Sequence, residues 1–170
     1  MPPKQPVTNA MRMLDSRGIG YEALYFDAEI HSAIGVADAL GLPPERVFKT
    51  LVVMPDTTQR GRPLLAIVPG DAELDLKALA QAAGEKKVRM ATQREAESMT
   101  GLLVGGISAL ALLQKRWATF LDASARDGTW LVVSAGQRGI NLRMAVDDLL
   151  AVTQAKVASI ARSPVVPDQG

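Results

Sequence analysis

The stretch VFKTLVVMPDTTQRGRPLLAIVPG (47–70) holds two apolar runs on either side of a polar, proline- and glycine-containing segment. The first run, 47–54, reads as a strand. DTTQRGRP (56–63) reads as a hairpin loop, and LLAIVPG (64–70) returns as its partner. Alternation places Lys49 with Val47, Leu51 and Val53 on one face, and Phe48, Thr50, Val52 and Met54 on the other. Both faces are apolar, so this is a central strand with a lysine in its middle.

Outward from the hairpin, strands and helices mix without a regular βαβ rhythm. Thr8 or Asn9 caps a helix through Arg17, stopped by Gly18. YEALYF (21–26) is a strand, and Ser32 caps a helix closed by Gly41. DLKALAQAAG (75–84) is an amphipathic helix ending at glycine, VRMA (88–91) a short strand, and TQREAESMTG (92–101) a helix. WATFLDA (117–123), TWLVVSAG (129–136) and INLRMA (140–145) read as strands, AVDDLLAVTQA (145–155) as a helix, and KVASIA (156–161) as a last strand or extended segment. The expectation is one compact α/β domain over 8–161, with a mixed, largely antiparallel sheet and flanking helices. A loose arm (1–7) and a mobile tail (162–170) flank it.

Composition narrows the chemistry. Of 170 residues 48% are hydrophobic and 22% charged, which fits a folded globular domain. A net charge of +1 argues against holding nucleic acid by bulk electrostatics alone. The absence of cysteine removes disulfides, thiolate nucleophiles and cysteine zinc sites. The N-terminus lacks the apolar core of a signal peptide, and no segment approaches the ~20 apolar residues of a membrane span. A cytoplasmic protein that does not enter a membrane is therefore expected.

The candidate chemistry begins with Lys49. Burying an unpaired ammonium costs several kcal/mol. Either the amine snorkels out or meets a carboxylate, or it sits in a pocket and holds a carbonyl or phosphate oxygen. VGGIS (104–108) is open in the same way. Gly105 and Gly106 either bend a strand or bring backbone N–H groups close to a ligand oxygen. SAGQRG (134–139) is a hairpin turn, or a turn that also presents Ser134. His31, the single histidine, reads as a solvated loop residue, and no metal cluster or Ser-His-Asp arrangement is visible. Lys86, Lys87, Arg89, Lys115 and Arg116 are solvated surface or phosphate contacts.

In order, a strand with Tyr25, FKTL (48–51), VGGIS (104–108) and SAGQRG (134–139) resemble the YbaK family of aminoacyl-tRNA deacylases, related to the editing domain inserted in bacterial prolyl-tRNA synthetases. LDLKALAQAAGEKKVRMA (74–91) and MTGLLVGGIS (99–108) add to the likeness, which runs from about residue 10 to 161. The resemblance implies a single α/β domain whose sheet is mixed or a partial barrel. It makes Lys49 and Gly105 the catalytic residues, with Tyr25, Thr50, Gly106, Ile107, Ser108, Ser134 and Arg138 binding the substrate. No cofactor or metal is implied. The substrate would be the aminoacylated 3′ end of tRNA, and prolyl-tRNA synthetase or another synthetase is the candidate partner.

Family enzymes remove a wrongly attached cysteine, alanine or similar small residue, and cysteine on tRNA(Pro) is the first expectation. The chain departs from the family pattern at Leu102, Ala109, Ala111 and Gln137. Those changes bear on the amino acid removed more than on the reaction, and they leave open a non-catalytic module that binds aminoacyl-tRNA or a small ligand. Strict alternation also sets Lys49 and Thr50 on opposite faces, whereas the resemblance assigns both to one site.

Overall fold

The computed structural model describes residues 5–56 and 61–164, so positions 57–60 of the hairpin loop and parts of the arm (1–4) and tail (165–170) lie outside the described residues. The hairpin forms as its pattern requires. β2 (Phe48–Pro55) and β3 (Leu64–Pro69) pair antiparallel, with Lys49 opposite Val68 and Val53 opposite Leu64. All six residues of β3 are buried, because both faces of this strand are covered.

Around the hairpin grows a five-stranded sheet. β5 (Val88–Met90) pairs antiparallel with β2, while β6 (Thr119–Asp122) joins β3, and β9 (Lys156–Ala158) joins β6, in parallel. Each parallel pair is bridged by a long connection, which parallel pairing demands. The path from β3 to β6 passes through α3 (Leu76–Ala83) and α4 (Gln93–Thr100), and that from β6 to β9 through α5 (Val146–Thr153). A second sheet, antiparallel throughout, orders β1 (Glu22–Tyr25), β8 (Ile140–Ala145) and β7 (Trp130–Gln137). One parallel bridge, Val47 to Val132, links the two sheets at the start of β2.

Helix boundaries follow local chemistry. Side chains of Thr8, Ser32, Asp75 and Thr92 accept backbone N–H groups at the starts of α1 (Asn9–Ser16), α2 (Ala33–Leu40), α3 and α4. Left-handed glycines close the last three of these helices. Asp147 and Asp148 occupy the first turn of α5, where negative charge suits the helix dipole.

Three apolar clusters hold the layers together. The largest joins α1 and the inner face of β7 and β8 to Phe48, Val52 and Ile67. A second packs Val53, Ala66 and Val68 against Leu79 of α3. The third sets Val36 and Ala37 of α2 on Val47 and Val132. Asp122 ties the end of β6 to the segment after β9: its Oδ1 accepts from the Ile160 and Ala161 N–H groups, each at 2.9 Å. No helix among the described residues is long and apolar enough to cross a membrane.

The structure adds elements that the pattern does not reveal. KVASIA divides into β9 and β10 (Ala161–Arg162), and β10 pairs with β4 (Glu73–Leu74), strands too short to carry a period. The glycine run is not a bend in a strand. It is a turn feeding a 3₁₀ stretch (Ala109–Lys115) that Ser108 Oγ caps at Leu110 N, 3.1 Å away.

Candidate active site

The site arises where β2 loses a partner. Val47 bridges to β7, and pairing with β5 begins at Val53. Between them, no described strand pairs with that edge of β2. Backbone groups alternate in direction along a strand. Val47 O accepts from Gly70 N on the β3 side at 2.7 Å, and Val52 O accepts from Ala91 N on the other side at 3.0 Å. Thr50 shares the parity of Val52, so its N–H and C=O groups face the open edge. A pocket of about 440 Å³ lies off this edge.

Lys49 lines the pocket half-buried, its Nζ 3.5 Å from Gly70 O. It forms no ion pair with a described carboxylate. Burial pulls its pKa below the ordinary 10.5, and the more distant charges of Glu73 and Asp71 only partly oppose this. The ammonium therefore keeps hydrogen-bonding capacity for an oxygen that enters the pocket.

The glycine loop lines the same pocket through Val104, Gly105 and Ile107. Gly105 has φ +94°, and a Cβ there would lie 3.1 Å from His31 Cβ and 3.2 Å from His31 Cα. Gly106 is needed for a different reason: a Cβ would come 2.9 Å from Arg138 N and 3.0 Å from Gln137 C, both backbone. The Gly106 N–H is committed to Leu103 O at 2.8 Å. Those of Gly105 and Ile107 have no partner among the described residues, and both residues line the pocket. The Val104 peptide is clamped at both ends, by Glu97 Oε2 on its N–H (2.8 Å) and by Arg138 Nε on its carbonyl (2.7 Å).

The structure thus brings Lys49, Thr50, Gly105, Ile107 and Ser134 to one pocket, with Ser134 Oγ accepting from Gly136 N at 3.1 Å. Four other sequence candidates lie outside its lining. Gly106 and Arg138 hold the loop from behind, Ser108 is 1% exposed as a helix cap, and Tyr25 donates its hydroxyl to Pro6 O at 3.0 Å. The basic candidates are dispersed: Lys87 meets Asp56, Arg89 forms a bidentate pair with Glu95, and Lys115 lies over Trp117.

Two lining residues escape the motif reading. His31 belongs to the pocket mouth through its packing on Gly105. Asn141 stands opposite Ser134 on β7 and Leu24 on β1, and is only 6% exposed. Its amide has no hydrogen-bond partner among the described residues. No buried side-chain polar atom is left unsatisfied among them, so the amide opens onto the pocket it lines. The available signal was an asparagine between Ile140 and Leu142, a residue type depleted in strands.

A half-buried ammonium and loop N–H groups without a described partner line one pocket, a set of donors suited to an oxygen-rich ligand. The family model described as "Aminoacyl-tRNA editing domain" matches residues 27–152, and the chain belongs to that family. It is 39% identical over 158 residues, 92% of this chain and 94% of the relative, to EbsC of Enterococcus faecalis, provisionally named a Cys-tRNA(Pro)/Cys-tRNA(Cys) deacylase. It is 36% identical to proline–tRNA ligase 1 of Anaeromyxobacter dehalogenans over 113 residues, which are 65% of this chain but 18% of that enzyme. A solved structure provisionally described as a trans-editing enzyme for prolyl tRNA synthetase superposes with TM-score 0.77, covering 93% of this chain and 100% of that one at 24% identity. That likeness speaks for the fold. The family resemblance carried by FKTL, VGGIS and SAGQRG, and the single mixed α/β domain, are borne out.

Proposed function

We propose that this chain is a trans-editing aminoacyl-tRNA deacylase that removes a mischarged amino acid, with cysteine on tRNA(Pro) as the first candidate. Family membership and the EbsC likeness support the reaction class. The observation that carries the mechanism is that Lys49 lines one pocket with Gly105 and Ile107, whose N–H groups have no partner among the described residues. An aminoacyl ester is already activated, so positioning and charge stabilisation are the main demands.

Lys49 anchors the terminal nucleotide, while the Gly105 and Ile107 N–H groups polarise the ester carbonyl. Attack by water, or by the thiol of a cysteinyl substrate, breaks the bond from the carbonyl carbon to the ribose oxygen, and that oxygen leaves with a proton. Thr50 and Ser134 shape the pocket. Gly106, Ser108 and Arg138 fix the loop, and Tyr25 braces the sheet against the segment before α1.

With a net charge of +1, tRNA affinity from this chain alone is weak, and prolyl-tRNA synthetase or another synthetase supplies the tRNA. The work belongs in the cytoplasm, where charged tRNA is used. Deacylation of Cys-, Ala- and Ser-tRNA(Pro) and of Cys-tRNA(Cys), with and without the synthetase, tests this reading. Turnover of at least one of them, lost in Lys49→Ala, is expected. Binding without hydrolysis of any of them would replace the enzyme with a binding module.

A further inference from the structure

A second cavity, about 910 Å³, lies on the same face of the five-stranded sheet as the candidate active site. Val52 lines the first cavity and Leu65, its cross-strand partner, lines the second, and both belong to one apolar cluster. The second is bounded by α1, the 3₁₀ stretch and the end of α5, over the starts of β3, β6 and β9. Its charge is one-sided. The chain as a whole holds 19 Lys and Arg against 18 Asp and Glu. Yet the charged residues lining this groove are Arg17, Arg116 and Lys156, with no carboxylate among them. Lys115 precedes Arg116, and Arg62 donates to the Lys115 carbonyl, which brings two more cations beside it. All five are exposed, and none forms an ion pair with a described carboxylate. Backbone conformation singles out the same place. Arg116 (φ 54°) and Gln154 (φ 56°) are the two non-glycine residues in the left-handed region among the described residues, and both line the groove. That conformation costs an arginine about 1–2 kcal/mol, and no described side-chain partner offsets it. Such an outlier belongs to a ligand site more than to a residue serving the fold.

We propose that this groove docks the phosphate backbone of the tRNA acceptor stem, through Arg17, Arg116 and Lys156, while the aminoacylated 3′ end occupies the pocket beside Lys49. The proposal rests on the deacylase reading above. Spacing along the sheet fits it. Val52 pairs with Leu65, Leu65 with Thr119, and Phe120 with Lys156. At ~4.8 Å per strand, the groove extends ~10–15 Å from β2. A stacked strand advances ~3.4 Å per nucleotide, so this is roughly three to four nucleotides back from the ester. In tRNA that is where the single-stranded 3′ end meets the duplex. RNA is favoured over an acidic protein surface because the groove shares a sheet face with the pocket that receives the 3′ end. Three phosphate contacts also suit a net charge of +1, since they orient the stem without holding tRNA tightly.

The test is binding of uncharged tRNA(Pro), by fluorescence anisotropy between about 50 and 200 mM KCl. Wild type is compared with the triple variant Arg17→Gln, Arg116→Asn, Lys156→Gln, asparagine being tolerant of the left-handed backbone. Each lost phosphate contact removes ~0.7–0.9 from the slope of log K against log salt. The variant's slope should therefore be shallower by about 2, and its low-salt Kd weaker by ~10-fold or more. Its kcat/KM on Cys-tRNA(Pro) should fall as well. Hydrolysis of cysteinyl-adenosine, too short to reach the groove, should stay within about twofold of wild type. A urea unfolding curve verifies the fold; should the triple variant not fold, Lys156→Gln alone is measured against a slope change of ~0.7–0.9. An unchanged slope and Kd, or an equal loss on cysteinyl-adenosine, overturns the proposal. So does a variant that binds tRNA(Pro) normally but is no longer stimulated by prolyl-tRNA synthetase, which would give the groove to a protein partner. A wild type that hydrolyses no charged tRNA sinks the deacylase reading, whereas the slope change decides the docking surface by itself.

Discussion

Lys49 and Thr50 point to opposite faces of β2 and nevertheless line the same pocket, because that pocket lies off the strand's unpaired edge rather than over one of its faces. What Thr50 offers at the edge is its backbone. Thr50→Val keeps that backbone and the strand preference, and is expected to lower kcat/KM less than ~5-fold. Lys49→Ala removes the one ammonium that lines the pocket among the described residues and should abolish turnover. Single-turnover deacylation of both variants makes the comparison, and a Thr50→Val loss as deep as that of Lys49→Ala would place the side chain, not the edge, in the chemistry.

The two glycines of the loop should fail differently. At Gly106 an added methyl meets backbone of the 137–138 turn at 2.9–3.0 Å, so Gly106→Ala must displace one segment or the other and should cost about 1–3 kcal/mol of stability. At Gly105 the strain comes from φ +94° and from His31. Gly105→Ala should cost about 1–2 kcal/mol, and under the proposed mechanism most of kcat is lost because the loop N–H groups are re-aimed. Urea denaturation and turnover, measured together on both variants, separate the two effects.

Arg138 holds Val104 O at 2.7 Å and does not line the pocket. Its removal should therefore act on the loop. Arg138→Ala is expected to lower kcat ~10-fold or more with KM little changed, the signature of a lost transition-state interaction. A pure rise in KM would instead make Arg138 a direct contact to tRNA.

Asp122 gives a stability test away from the pocket. Burial alone would raise its pKa, but hydrogen bonds from the Ser124 hydroxyl and from the Ile160, Ser124 and Ala161 N–H groups outweigh this and leave it below the ordinary 3.8. A carboxyl depressed by folding adds stability that is present above its unfolded pKa and lost as pH falls through the folded one. Asp122→Asn should cost about 1–3 kcal/mol at pH 7. The gap between variant and wild type in chemical denaturation should narrow below about pH 4.

Much of this was legible in the sequence. The hairpin around DTTQRGRP, the capped helices and the FKTL–VGGIS–SAGQRG order give the domain and put Lys49, Gly105 and Ser134 together. What stayed hidden depends on three-dimensional pairing. No local pattern shows that one edge of β2 pairs with no described strand between Val47 and Val53, so the shared site of Lys49 and Thr50 looked like a conflict with alternation. Asn141 carried only the weak signal of an asparagine inside a strand, which becomes informative once both faces of that strand are known to be covered.

Lys49 links activity to pH with a definite sign. Burial favours the neutral amine and lowers its pKa below 10.5, against the weaker pull of Glu73 and Asp71. A site that needs the ammonium therefore loses affinity as pH rises through this lowered value, earlier than an exposed lysine would. Because spontaneous ester hydrolysis also rises with pH, the measurement should be binding of a non-hydrolysable aminoacyl-adenosine amide. Wild-type Kd should weaken on the alkaline side below pH 10.5, while Lys49→Arg, which stays charged, should show no such limb. The same burial makes the ammonium a cost to the fold below its folded pKa, relieved as pH rises through it. Lys49→Met should then melt at or above the wild-type Tm while binding nothing, and a Tm several degrees lower would make Lys49 a structural residue instead of a site lysine.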